Sequence, residues 1–225
     1  MKHWFWPVFA GLVSLLPVTV QAAPLDRAAL VARMCGEAAA MGEAGTALSA
    51  LAASGEEADR AWAAPLPRAA IDRTLACDEA GAVLTEGGLD ALTRAPRAAQ
   101  GTPRMPLLSL KNRPVYELAD AAFTLRMAPS ISQRAAALKT LERRPALIPA
   151  GLLEGAAQAE TDAGLKAQIE NLAQSAALNA ADPALRRAAI ARLAENPNRR
   201  TLTQLTGLKS DAAYGSDAAF RQAVD

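Results

Sequence analysis

From about residue 25 onward, apolar positions recur at intervals of three and four, and the chain reads as a succession of helices. Leu30, Met34 and Ala38 fall four residues apart on one face, which predicts a first helix over about 25–40. Gly42 and Gly45 punctuate its end. A second helix is expected from Thr46 to Ala53, closed by Ser54-Gly55, and a third over about 56–73, broken at Pro65 and Pro67. Between 74 and 113 the helical period is lost. Thr74-Leu75-Ala76-Cys77 and Ala82-Val83-Leu84-Thr85 are short β-prone runs flanking Asp78-Glu79-Ala80-Gly81, a hairpin pattern. Gly87-Gly88 marks a further turn, and the Pro-, Gly- and Arg-rich text from Pro96 to Pro114 fits a surface loop, which is also where a partner would be contacted.

The helical period then returns and repeats. The segment from Ser130 to Pro145 aligns with that from Asp182 to Pro197, matching Arg134 to Arg186, Ala136 to Ala188, Ala137 to Ala189, Leu138 to Ile190 and Leu141 to Leu193. Positions 134, 137, 138 and 141 share one helix face, with the Arg stem lying along its edge. Leu165, Ile169, Leu172 and Ala176 form a similar stripe between the copies. Start signals precede each helix: Ser130 with Gln133 as a capping box, Thr161-Asp162, and Asp182-Pro183. Pro145 and Pro197 end theirs. A narrow Ala-rich face cannot be buried by one helix alone, so the expected fold is all-α, a HEAT-like α-solenoid of stacked helix hairpins with a small irregular or β-hairpin insertion.

Composition agrees with helices. Hydrophobic residues make up 51 % but aromatics only 4 %. Burial of Ala gains little area, so such a core must be thin and closely packed, and Ala favours helix. The 24 basic and 23 acidic residues nearly balance, which argues against nucleic acid and against a polybasic membrane surface.

The N-terminus departs from this pattern. Lys2 and His3 precede an uncharged apolar run from Trp4 to Val20, followed by Val20-Gln21-Ala22, the small-residue pattern that a signal peptidase accepts. Cleavage is expected after Ala22, so the chain is expected to be exported. An uncleaved anchor is the competing reading, weakened by Pro7, Pro17 and the shortness of the run. After residue 25 the longest apolar stretch, Ala146 to Ala159, is interrupted by Glu154. The organisation expected is therefore a signal peptide (1–22), N-terminal helices (23–73), an insertion (74–113), helical repeats (114–209) and a tail (210–225).

Candidate chemistry is sparse. The one histidine, His3, lies in the apolar leader, leaving no imidazole for a nucleophilic triad or a metal, and no cofactor is expected. Gly81, Gly87 and Gly88 read as turn residues rather than a phosphate loop. Glu56-Glu57, Asp78-Glu79 and Glu160 with Asp162 are the carboxylate pairs available for acid–base work, though helix starts and turns favour the same residues. Trp62, Tyr116, Phe123, Tyr214 and Phe220 read as core. Cys35 and Cys77 either pair, closing a loop of about 42 residues worth about 4 kcal/mol by chain entropy, or stay as two buried thiols. Catalysis is not expected.

The order of these pieces carries a resemblance. A leader, Ala-rich helices, the irregular insertion, the segment from Leu110 through Asn112, Pro114 and Tyr116 to Leu118, the Ser130–Pro145 helix, Ala159-Glu160-Thr161-Asp162 and Ala181 to Ile190 follow in sequence. This succession resembles the N-terminal extracytoplasmic region of the permease subunit of bacterial urea ABC transporters, of the branched-chain amino acid transporter type. The resemblance implies a domain on the periplasmic side of the inner membrane that contributes to ATP-driven urea uptake. It implies a second permease, two ATPase subunits and a periplasmic urea-binding protein as partners, and membrane spans beyond Asp225. It assigns no urea-contacting residue within these 225 positions. The alternative reading is a free-standing secreted helical-repeat scaffold that binds a protein partner.

Overall fold

The computed structural model of the protein describes residues 25–178, 182–195 and 199–225. The leader (1–22) and the stop at Pro197 lie outside the described residues. Helix formation begins at Asp26, whose carboxylate accepts the Ala29 N–H at 2.9 Å and caps α1 (Arg27–Met34). The first helix was expected to run to about residue 40, but it ends at Cys35, and α2 (Ala38–Ser54) starts after a break of three residues. Gly42 and Gly45, expected to end a helix, lie inside α2. Their propensity cost is offset by what their missing side chains admit. A Cβ on Gly45 would stand 3.0 Å from the Tyr116 ring and from Val115, and one on Gly42 would stand 3.1 Å from the Asn112 amide oxygen.

The stop at Ser54-Gly55 is where it was expected. α3 (Glu57–Ala63) and α4 (Pro65–Ile71) then divide at the first proline of the predicted third helix, with Pro65 opening α4. The insertion is a three-stranded antiparallel sheet in the order β1 (Leu75–Asp78), β2 (Gly81–Leu84), β3 (Leu89–Asp90). Leu75 pairs with Leu84, and Asp78 with Gly81, whose φ of +129° the tight hairpin requires. The hairpin is the one expected; β3, behind the Gly87-Gly88 turn, extends it.

α5 (Arg113–Met127) lies against α2 and brings Tyr116, Leu118, Ala119, Ala122 and Phe123 into the core. Asn112 holds its start: the side-chain amide donates to the Ala38 carbonyl at 2.6 Å. α6 (Ile131–Glu142) packs on α5 and buries Ala137, Leu138 and Leu141, three of the four positions in the predicted stripe. The capping box is absent, because the Ser130 hydroxyl bonds that of Ser132 at 2.7 Å instead of capping the helix. After a 3-10 turn (Pro145–Leu147) come α7 (Leu152–Ala159) and α8 (Ala163–Leu178), the latter opened by Asp162 accepting from Leu165 N–H at 2.7 Å. Leu165, Ile169 and Leu172 are buried, as their spacing implies.

α9 (Pro183–Glu195) buries Ala189, Ile190 and Leu193, the repeat's counterparts of Ala137, Leu138 and Leu141. Asp182 caps it by accepting the Ala184 N–H at 2.8 Å. α10 (Arg199–Leu208), α11 (Ala212–Ser216) and α12 (Ala218–Val224) complete the chain. The residues expected as a tail are thus folded, with Phe220 and Val224 buried in a second, smaller core with Leu178, Ile190 and Leu193. The described chain is mostly helical with one small sheet.

The α2–α5 contact makes opposite predictions for two neighbours. Gly45→Val drives two methyls into Tyr116 and should cost roughly 1–3 kcal/mol in chemical denaturation. The Tyr116 hydroxyl is buried without a hydrogen-bond partner among the described residues. Tyr116→Phe should therefore leave stability unchanged or raise it by about 1 kcal/mol.

Candidate binding surfaces

The two cysteines are brought together. Cys35, at the end of α1, and Cys77, in β1, form a disulfide with Cα atoms 5.8 Å apart. Around it the insertion is bound to the N-terminal helices. Arg104 exchanges both backbone hydrogen bonds with Cys77 at 2.8 Å, and its guanidinium donates to the Cys35 carbonyl. The Trp62 indole N–H donates to the carbonyl of Leu92 at 3.0 Å. Arg97 binds both Asp78 and Asp90, the latter at 3.0 Å. The loop after β3 is thereby pinned from several sides.

None of the predicted carboxylate pairs converges as an acid–base couple. Glu56 and Glu57 are exposed at the start of α3. Asp78 is held below the ordinary carboxylate range by the Gln100 N–H and by Arg97, and Glu79 is exposed in the turn. Glu160 is buried and meets Arg134 in two bonds of 2.8 Å, and it also accepts the Asp162 N–H at 2.9 Å. Arg134's hydrogen bonds, opposed by burial, hold Glu160 down at about 2, so it stays ionised at neutral pH. Asp162 serves as the α8 cap. Asp78, Glu160 and Asp162 thus each hold local backbone or a neighbouring guanidinium.

Sequence spacing placed Arg134 at the edge of a stripe but did not reveal its partner, which lies 26 positions on. Its Nη1 donates to the Ala128 and Pro129 carbonyls at 2.9 and 3.0 Å, so the guanidinium ties the end of α5 to the end of α7. Arg186, its repeat counterpart, lies 5.0 Å over the Phe220 ring and 3.6 Å from Asp211. The two copies thus use the same Arg position to reach a later helical segment.

The open surfaces are grooves between helices. One, about 710 Å³, runs along α4, α5 and α6 and is lined by Asp120 among others. Arg68 bonds Asp72 at 2.8 Å and approaches Asp120 at 3.6 Å, while Arg113 bonds Glu117 at 3.0 Å. Burial pushes the Asp120 carboxyl upward, against the pull of Arg68. The signal for Asp120 was available: a lone acid inside the apolar run from Leu118 to Phe123. With guanidinium and carboxylate groups of both signs, this groove can exchange ion pairs with a polar partner. A second groove, about 640 Å³, follows α7, α8 and α9, and is edged by Glu154, Glu170, Glu195 and Arg192. An apolar shelf of about 780 Å³ lies on the outer side of α2, lined by Ala39, Gly42, Ala47, Ala50 and Val115. In the loop before α5, Leu107 and Leu110 stand 69 % and 95 % exposed. Among the described residues no group of three or more metal-ligating side chains gathers, and no helix is long and apolar enough to cross a membrane.

No family model, curated protein or solved structure matches the chain.

Two measurements probe these contacts. Cys35→Ser should lower unfolding free energy by about 4 kcal/mol relative to the bridged protein, whose thiol titration in denaturant should read zero without reductant. Arg134→Ala strands the Glu160 carboxylate and should lower stability near neutral pH. The pH dependence has a definite sign. Glu160 is depressed from an ordinary 4.5 to about 2, so its contribution is full above about 4.5 and fades as pH falls toward 2. The stability gap between wild type and Arg134→Ala should narrow over that window, read from urea midpoints at successive pH values, leaving the part owed to the Ala128 and Pro129 carbonyls.

Proposed function

We propose that the chain is the periplasmic front domain of the permease subunit of a urea ABC transporter. On this reading its helices from α5 onward form a HEAT-like solenoid, and the domain contributes to urea uptake by contacting the other transporter components. The observation that carries the reading is the fold of the segment from Leu110 to Leu118. Two residues of that segment, one of several on whose order the resemblance rests, fasten α5 to α2: Asn112 bonds Ala38, and Tyr116 packs against Gly45. A motif with that duty has a physical reason to recur in a family.

Two further features support it. The Cys35–Cys77 bridge suits an oxidising compartment outside the cytoplasm. The matched stripes, Ala137, Leu138 and Leu141 against Ala189, Ile190 and Leu193, are buried alike, as repeated units of a solenoid would be. Partners under this reading are the second permease, the two ATPases and the urea-binding protein, none of which needs a catalytic site in this domain. The exposed Leu107 and Leu110 and the open grooves suit the alternative too, a secreted scaffold that holds a protein partner.

The reading is tested in the gene and in the cell. The DNA following the codon for Asp225 should encode successive apolar runs of about 20 residues, each able to span a bilayer. A strain lacking codons 25–225 in that gene should lose uptake of labelled urea at low external concentration. A stop codon directly after Asp225, with urea uptake unaffected by deletion, would leave the scaffold reading standing in its place.

A further inference from the structure

The loop before α5 buries one leucine and leaves two bare. Leu108 packs against the main core, whereas Leu107 and Leu110 stand 69 % and 95 % exposed, and Leu110 is the most exposed large apolar side chain among the described residues. That exposure belongs to a hydrogen-bonded turn. The Ser109 hydroxyl and carbonyl each accept the Asn112 N–H at 3.1 Å, the same carbonyl accepts the Arg113 N–H at 2.9 Å, and the Asn112 side chain donates to Ala38 at the start of α2. Leu110 is thus held in place at the edge of the α2 shelf, between Ser109 and Lys111, which both line it.

The shelf itself is the converse. Ala39, Gly42, Ala47 and Ala50 supply only small groups to it, so its space of about 780 Å³ has no large side chain of α2 to fill it. Its charged side chains are one acid, Glu43, and one base, Lys111. Both are exposed, and neither joins an ion pair among the described residues.

One face therefore carries a large side chain without a cover, a recess without a filler, and one unpaired charge of each sign. A surface that holds both halves of a contact is complementary to itself under a twofold rotation, in which each half is used twice. A lipid surface is met by clustered basic side chains, which this face lacks. With 24 basic and 23 acidic residues in the chain, two copies repel each other little.

We propose that this face joins two copies of the chain as a twofold dimer, each Leu110 seated on the other's α2 shelf and each Lys111 paired with the other's Glu43. The proposal rests on this face alone and is independent of the transporter reading.

The test uses the chain recovered after export, with its disulfide intact, in sedimentation equilibrium up to about 1 mM. A monomer–dimer equilibrium is expected, weakened at least tenfold in Leu110→Glu and in Ala50→Glu; both positions are exposed, so the thermal midpoint of dilute monomer should stay unchanged. Glu43→Lys and Lys111→Glu should each weaken the dimer when alone, because the rotation sets like charges opposite each other twice. Mixed in equal amounts they should pair, giving a dimer with one chain of each kind in native mass spectrometry. A monomer at every concentration, with the shelf then left to a different protein, overturns the proposal. So does a dimer undiminished in Leu110→Glu and Ala50→Glu, or a failure of the two charge variants to pair on mixing.

Discussion

The close approach of α2 and α5 is the constraint around which the rest of the main core is arranged. Tyr116 is fully buried, and it can be so only because Gly45 offers bare backbone opposite its ring. In an Ala-rich core with few aromatics, one large ring placed at the crossing contributes more buried area than several alanines. Asn112 then fixes the start of α5 relative to α2 by a side-chain bond to Ala38, which sets where every later residue of α5 faces. From that placement follow the burial of Leu118, Ala122 and Phe123 and the seat on which α6 packs.

The insertion is built on a sheet of three short strands, and its Leu75, Leu84 and Ala91 join the main core. The disulfide, the Trp62 indole and the Arg104 guanidinium fasten it to the N-terminal helices, while the Arg104 backbone pair and the Arg97 carboxylate network brace it internally. Burial in the main core and links to separate helices together orient the loop as well as attach it.

Local rules were legible where local energy decides. The stripes at 137, 138, 141 and at 165, 169, 172 are buried as the helical period implies, the hairpin turns on Asp78 and Gly81, and Asp162 and Asp182 cap their helices. They failed where a distant residue supplies the energy. Gly42 and Gly45 read as breaks because glycine disfavours helix, yet Asn112 and Tyr116, some seventy positions on, need the space they leave. Cys35 ends α1 at a residue whose partner was not decidable from spacing. Ser130 has a cap's identity, but its hydroxyl is taken by Ser132. The surface groups followed the same division: Asp120 stands out in an apolar run, whereas Leu110, left bare by the turn that holds it, looks in sequence like any apolar residue bound for a core.

The long separation between α2 and its cover has a bearing on the order in which this chain becomes compact. A ribosome or a secretion channel delivers residues from the N-terminus, so the bare backbone at Gly45 emerges well before the ring that fills the space beside it. Until Tyr116 has followed, the alanine face of α2 is wet, and Cys35 waits over a similar interval for Cys77. The helices α1 to α4 therefore complete their packing only after α5 has been delivered. A holding factor, or fast delivery, would serve this sequence better than slow stepwise release.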